Sequence, residues 1–373
     1  MKIAAARVTP VRLRLRHALE TAHGRIRVRE GFLLELVAES GLVGCGEALP
    51  LPGFGLETAD RAGDALRAMA AALRGRDARD PGAALDAIEP SWPGAPCARG
   101  AADVALHDLA ARLSGRSVAE CLAEASPPRA GVPVSALLPD RGSEAVAEAA
   151  RLACDAGFRT LKLKVGVQGL AADEARVAAA RRAAGGEVSL RLDANGAWSE
   201  CGALRALERL ARYGLEFVEQ PVPADDGATL ARLRAKSPVP IAADEALRDP
   251  ASAARLIACE AADVFVIKPA VVGGLRAAGR IAADARAAGV DVVVTSFLDS
   301  ALGVAAALQL AAALPTRRAH GLATGALLLD DLAAPLPVRA GWLERPAGPG
   351  LGVAPDPGTV RRRARAASRE IDA

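Results

Sequence analysis

Lysine is nearly missing from this chain. Of 47 basic residues only Lys2, Lys162, Lys164, Lys236 and Lys268 are lysines, and the other 42 are arginines. Arginine is the routine cation here, so a retained lysine marks a place where a side chain able to lose its proton near neutral pH has a use. Long apolar runs are missing too. None reaches the roughly 18 residues of a membrane span; the best, residues 303–314, contains Gln309 and stops at Pro315, so no membrane partner is expected. An excess of either charge is absent: 47 basic against 44 acidic residues, net +3, leave no footprint for nucleic acid. A small molecule is then the default partner. Cys45, Cys97, Cys121, Cys154, Cys201 and Cys259 stand singly with no CxxC pair, which excludes a zinc knuckle or disulfide framework and predicts reduced, mostly buried thiols. Arg7, Arg12, Arg14 and Arg16 interrupt any apolar signal region at the start, so the expected location is the cytoplasm. The four histidines, His17, His23, His107 and His320, lie in no ligand-spaced motif. Packing or exposure is their expected role, with His23, in a loop at 19–29 expected to be mobile, the one to watch.

What remains is ample for a packed protein: 373 residues, 51% hydrophobic and 24% charged. That length suits two domains, or one barrel with additions. Residues 3–16 and 32–37 read as strands, and 57–73 and 98–113 as helices, which together make an α+β unit. After Pro127-Pro128 short apolar strands alternate with Ala/Arg-rich helices, the pattern of βα units on a parallel sheet. Eight strands are expected, at 132–136, 160–165, 188–193, 217–219, 241–243, 264–267, 290–295 and 320–322.

The second to sixth of these strands each end on a charge: Lys164, Asp193, Glu219, Asp244 and Lys268, spaced 29, 26, 25 and 24 residues apart. So regular a step predicts a (β/α) barrel, because a closed barrel points successive strand ends at one mouth. Three carboxylates converging there would repel unless a cation sat among them, and hard oxygen donors without His or Cys favour Mg²⁺. Lys162 and Lys164, two apart on one strand, face the same side, the barrel interior. Two ammoniums so close to each other and to a divalent cation should depress each other's pKa and leave one lysine able to act as a base. Lys268 would approach from the opposite side. Lysines flanking a metal-bound carboxylate suit removal of the adjacent proton, with the dianion stabilised electrostatically. Gly273-Gly274, ahead of a helix, is a weak candidate for accepting an anion, and Arg361-Arg362-Arg363 reads as a solvated or frayed tail.

These residues stand in longer segments: Leu161-Lys162-Leu163-Lys164, Leu192-Asp193-Ala194-Asn195-Gly196-Ala197-Trp198, Val218-Glu219-Gln220-Pro221, Ala243-Asp244-Glu245 and Ile267-Lys268-Pro269. With Gly44-Cys45-Gly46-Glu47-Ala48 and 97–108 they make the chain resemble the enolase superfamily in its muconate-lactonising branch, over nearly its full length. The resemblance implies an α/β fold: a (β/α)7β modified TIM barrel (128–325) under an α+β capping domain (1–127), with a C-terminal segment (326–373) returning to the cap. It implies Mg²⁺, with Mn²⁺ as a substitute, on Asp193, Glu219 and Asp244. It also implies a small carboxylate substrate and, since barrels of this branch commonly assemble, a homo-oligomer.

Within the branch, Pro50-Leu51-Pro52-Gly53-Phe54-Gly55-Leu56-Glu57-Thr58 looks like the corresponding segment of o-succinylbenzoate synthases, and the loops at 296–303 and 321–325 are similar to theirs. Their Glu-Ser-Ser is here Asp299-Ser300-Ala301, and the Asp-x-Asp of dipeptide epimerases is missing, Asp330-Asp331 being adjacent and later. The implied roles are Lys164 as base and then acid, Lys162 holding Lys164 deprotonated and contacting the substrate carboxylate, and Lys268 stabilising the enediolate. Arg191 and Asn195 would stand behind them, and Ser135, Ser296, Gly321 and Phe54 would line the pocket. The alternatives are an N-acylamino acid racemase or dipeptide epimerase, or a muconate-type cycloisomerase. An aldolase using a Schiff-base lysine is argued against by the three carboxylates.

Overall fold

The computed structural model describes residues 1–21, 24–54, 56–88, 94–123, 126–139, 141–364 and 369–370. Strands β1 (Ile3–Thr21), β2 (Gly24–Ala38) and β3 (Val43–Ala48) form an antiparallel sheet. Helices α1 (Ala59–Leu73), α2 (Pro81–Asp86), α3 (Pro96–Leu113) and α4 (Val118–Leu122) follow. The Thr58 side chain starts α1 by accepting from Arg61 N at 3.2 Å, which sets the helix two residues later than the pattern suggested. β3 was not among the expected strands. Gly44 and Gly46 gave it no alternating apolar face, and the structure shows why they are glycines: a Cβ at either would lie 2.3 Å from the Ala105 carbonyl or 2.0 Å from that of Ala101. Helix α3 packs directly on the strand's backbone.

The barrel strands are β5 (Ala136–Leu137), β6 (Thr160–Lys164), β7 (Ser189–Asp193), β8 (Leu215–Glu219), β9 (Ile241–Ala243), β10 (Val264–Ile267) and β11 (Asp291–Val294). Each pairs in parallel with its successor, in strict chain order. Between them run α5 (Ser143–Asp155), α6 (Leu170–Ala184), α7 (Glu200–Leu210), α8 (Gly227–Lys236), α9 (Pro250–Ala258), α10 (Pro269–Val272) and α11 (Leu275–Ala287), and α12 (Ala301–Ala313) follows β11. The expected eighth strand is two isolated parallel bridges, Val134 to His320 and Thr295 to Gly321, which join the last strand to the first and close the ring. The expected first strand is split. β4 (Gly131–Pro133) pairs antiparallel with β13 (Trp342–Glu344), beyond β12 (Val338–Arg339), and only β5 enters the barrel. Alternation sorts the strands: Leu161, Leu163, Leu190 and Leu192 pack outward on the helices, while Phe217, Val266 and Val293 pack inside. The chain then runs back along the cap, through α13 (Pro357–Arg363) to β14 (Arg369–Glu370), which pairs with β1.

Four other expectations change. Residues 19–21 and 24–29 pair as part of the β1–β2 hairpin, Leu19 opposite Ile26 and Thr21 opposite Gly24; Ala22 and His23 lie outside the described residues. Cys121, Cys201 and Cys259 are exposed, leaving Cys45 and Cys97 as the buried thiols. The helix start after Gly273-Gly274 is filled from within, because Asp103 Oδ1 accepts from Leu275 N at 2.7 Å. The basic run ends a short helix in which Arg361 and Arg362 are exposed, as expected, and only Arg363 departs, pairing with Asp330 at 2.8 Å. Among the described residues no helix is long and apolar enough to cross a membrane.

Candidate active site

The register of the parallel strands builds the site. Lys164 lies beside Asp193, and Asp193 beside Glu219, so the ends of β6, β7 and β8 sit level at one mouth. Asp244 and Lys268 follow at the ends of β9 and β10. All three carboxylates are buried, at 2 to 4% exposure. Lys162 Nζ bridges Asp193 Oδ2 at 2.9 Å and Glu219 Oε1 at 2.6 Å, and Lys268 Nζ meets Asp244 Oδ2 at 2.5 Å.

Lys164 differs. Its Nζ donates to the neutral amide oxygen of Asn195 at 2.5 Å, and Asn195 Nδ2 passes the chain on to Glu245 Oε1 at 2.9 Å. Asn195 is positioned for this by a left-handed backbone (φ 44°) and by its own N donating to Asp193 Oδ1 at 3.0 Å. Gln220, also left-handed (φ 38°), accepts on Oε1 from Asp244 N at 3.1 Å and Ala246 N at 3.2 Å, which fixes the loop carrying Asp244. Such backbone outliers gather where geometry is imposed by use.

The electrostatics correct, at Lys162, the expectation of a depressed lysine. Burial works to lower the Lys162 pKa, but Asp193, Glu219 and Asp244 outweigh it and the group is held well above the ordinary lysine value. Lys268 is raised as well: burial opposes, and Asp244 and Glu245 prevail. These two lysines are counterions first. On the acid side, burial pushes Glu219 up to about 8, with Asp193 and Asp244 adding to the rise against Lys162. Asp193 falls to about 2, since Lys162 and Lys164 overcome its burial. Glu245 rises to about 7 through burial and the neighbouring Asp244. A buried carboxylate keeps its charge only with a cation close by. The donor set, three carboxylates with no sulfur or imidazole, therefore fits a hard divalent cation. As they stand, no Asp, Glu, His or Cys trio among the described residues closes into a ligand shell, and the Lys162 ammonium bridges two of the three carboxylates.

The remaining expected residues divide. Phe54, from the cap loop, meets Phe297 edge-on, centroids 5.5 Å apart, and the Phe297 ring lies 5.5 Å from Lys268 Nζ. Ser296 Oγ is 2.6 Å from Thr324 Oγ1 at the seam of the last two barrel loops. Gly321 accepts from Thr295 Oγ1 at 2.8 Å, and a Cβ there would lie 2.3 Å from that oxygen. Ser135 is buried against the His320 carbonyl at 3.5 Å.

Arg191 is a correction: it belongs to the barrel floor. Two residues before Asp193 it sits one layer down, 2% exposed, bidentate to Glu216 at 2.7 and 3.1 Å, donating to the Ala319 carbonyl at 2.8 Å and stacked on Phe217 at 4.6 Å. Asp299 and Ser300 are structural as well. Asp299 accepts from Phe297 N at 2.8 Å, and Ser300 caps α12 while donating to Glu47 of β3. A cavity of about 400 Å³, lined by Leu275, Arg276, Leu310 and Leu314, lies outside the barrel and holds none of the mouth residues.

The roles of Glu245, Gln220, Phe297, Arg29 and Glu47 were missed. Glu245 and Gln220 stood inside quoted segments with no assignment. Phe297 had a usable signal, since the chain has only six phenylalanines. Arg29 had none, being one arginine among 42.

Residues 3–123 match the mandelate racemase/muconate lactonizing enzyme N-terminal domain, and residues 144–359 match the enolase C-terminal domain-like family. The chain belongs to the enolase superfamily, in its muconate-lactonising branch. It is an enzyme, as the family's members are. Among its relatives, muconate cycloisomerase 1-2 of Acinetobacter lwoffii is 35% identical over 87% of this chain and 85% of its own. The o-succinylbenzoate synthase of Thermobifida fusca is 44% identical over 56% of this chain and 64% of its own. Two solved family structures superpose over the whole of both chains. These are the N-succinyl Arg/Lys racemase of Bacillus cereus (TM-score 0.94, 25% identity) and the dipeptide epimerase of Cytophaga hutchinsonii, complexed with Mg and D-Ala-L-Val (0.92, 26%).

Proposed function

We propose that this enzyme is an o-succinylbenzoate synthase: a Mg²⁺-dependent syn dehydration of a succinyl-bearing hydroxycyclohexadiene carboxylate to 2-succinylbenzoate, a step of menaquinone biosynthesis. Asp193, Glu219 and Asp244 would hold the metal. When bound, Mg²⁺ supplies positive charge beside the substrate carboxylate, which lowers the energy of the dianion formed on loss of the adjacent proton.

Lys164 takes the proton from the α-carbon. It is the lysine for this because it is held by the Asn195 amide, while Lys162 and Lys268 are engaged as counterions of the carboxylates. The departing hydroxyl then takes the proton back from Lys164 and leaves as water; one C–H and one C–O bond break, and the new double bond completes an aromatic ring. Lys268 adds positive charge on the face opposite Lys164.

The observation that supports the synthase reading is the Phe54–Phe297 pair beside Lys268, two rings set edge to face at 87° that offer apolar contact to a ring. The Thermobifida fusca relative supports it. So does the fate of Asp330 and Asp331. Asp330 is taken up by Arg14 at 2.7 Å and so is not free for a substrate ammonium, and Asp331 spends Oδ1 on the amides of Ala301 and Leu332.

A second reading, N-succinylamino acid racemase, draws on the Bacillus cereus structure and on Lys164 and Lys268 ending different strands of one mouth. The test is ultraviolet loss of the cyclohexadiene in Mg²⁺, run beside deuterium wash-in on N-succinylamino acids. Dehydration without wash-in is the expected result. Wash-in without dehydration would replace the synthase by the racemase.

A further inference from the structure

Arg29 lies on β2 of the cap, yet its guanidinium joins two loops distant in sequence. The side chain is fully buried. Nη2 donates to the Leu49 carbonyl and, at 3.1 Å, to that of Phe297; Nη1 reaches Pro50 O at 3.2 Å and Nε reaches Leu298 O at 3.3 Å. One planar cation thereby ties the root of the loop bearing Phe54 to the loop that follows β11. Only a guanidinium offers enough donors in one rigid plane for four carbonyls. Such a charge needs compensation when buried. Burial lowers Arg29 to about 10, and Asp299 and Glu47 draw it back, so it stays a cation at neutral pH.

The loop it holds is strained. Leu298 has φ 55°, a left-handed conformation that a leucine keeps only where its surroundings enforce it, and Arg29 Nε bonds that residue's own carbonyl. Immediately before it, the Phe297 ring stacks on the Arg29 guanidinium at 5.2 Å, meets Phe54, and lies beside Lys268 Nζ.

We propose that Arg29 is a positioning residue of the active site: it locks the Phe54–Phe297 pair over Lys268, so that cap and barrel present one fixed aromatic wall to the substrate. The inference rests on the reading that this mouth is the site of chemistry, and it is independent of which carboxylate is turned over.

Hydrogen exchange of the full-length, Mg²⁺-loaded enzyme reads the wall without any substrate. In Arg29→Ala, amides of 49–54 and 296–300 should exchange about tenfold faster or more, with β6 and β7 unchanged. KM for the cyclohexadiene substrate should rise about tenfold with a smaller change in kcat. Millimolar guanidinium should restore both, ammonium should restore neither, and Arg29→Lys should behave as Arg29→Ala. Unchanged protection of the two loops, loss of protection spread over the whole barrel, or full function in Arg29→Lys would each overturn the proposal. Should Arg29→Ala fail to fold, Arg29→Lys decides by the same readings. Should the wild type leave the cyclohexadiene untouched, the synthase reading falls, and loop exchange with guanidinium rescue still decides the role of Arg29.

Discussion

The barrel holds two charge clusters, one buried at the mouth and one running from buried Arg191 to exposed Asp291 a layer below, and they are built to opposite ends. In the floor, Arg191 and Arg318 face Glu216 and Asp291: Glu216 takes two bonds from Arg191 and one at 2.6 Å from Arg318, which also meets Asp291. Charges balance, the acceptors are matched by planar forks, and the Glu216 carboxyl is held below its ordinary range once the arginines outweigh its burial. In the mouth, three carboxylates and Glu245 share lysines, which are point charges, and Glu219 and Glu245 are pushed up by burial and by their neighbouring carboxylates. The floor is satisfied as it stands; on the proposed reading the mouth is completed by a cation and a substrate. This is the division expected of such barrels, with stability below and chemistry above.

The comparison can be broken from the top down. Lys164→Ala should leave the fold intact and lower kcat by about 10³-fold, within the range for a lost general acid–base group. Arg191→Met should cost about 3 kcal/mol in urea unfolding, because part-buried Glu216 loses its two bonds from Arg191 and keeps only Arg318. Mg²⁺ should stabilise the wild type by about 2.7 kcal/mol at a hundred times its Kd, read as a melting shift, and Asp244→Asn should abolish that shift.

Two smaller effects sharpen the picture through pH. Glu47, at the junction of cap and barrel, is pushed up to about 8 by burial and by Asp299. Its folded form keeps a proton that the unfolded chain releases near the ordinary carboxyl value, so its contribution to stability is complete below about 4.5 and fades as pH climbs to 8. Glu47→Gln should flatten that decline. His320, at the barrel seam, runs the other way. Burial, with Arg129 and Arg191 nearby, lowers it to about 3, so the neutral ring stabilises the fold above the ordinary histidine value and that stability is lost as pH falls from about 6.5 toward 3. His320→Asn should show a shallower acid slope in unfolding against pH.

How far the sequence alone reaches follows from the same contrast. The mouth was legible because lysine is scarce, because charges recur at a βα period, and because the surrounding segments resemble a known family. The floor was not: Arg191 reads as a neighbour of Asp193 until the strand register puts it a layer below. β3 escaped because its glycines carry no pattern of their own and make sense only under α3. The lysine electrostatics were misjudged because like charges two residues apart are visible in a sequence, whereas the carboxylates that reach Lys162 come from the next two strands. Arg29 was hidden for a related reason, since its partnership with Phe297 crosses from cap to barrel.

The claim that chemistry belongs to the mouth and stability to the floor is tested most directly by one paired measurement. Lys164→Ala and Arg191→Met are assayed for Mg²⁺-dependent loss of the cyclohexadiene, with the folded fraction of each determined in the same buffer. The account predicts a fully folded Lys164→Ala with almost no turnover, and an Arg191→Met of reduced stability whose kcat per folded molecule matches the wild type. A Lys164→Ala that turns over normally, or a fully folded Arg191→Met that does not, would contradict it.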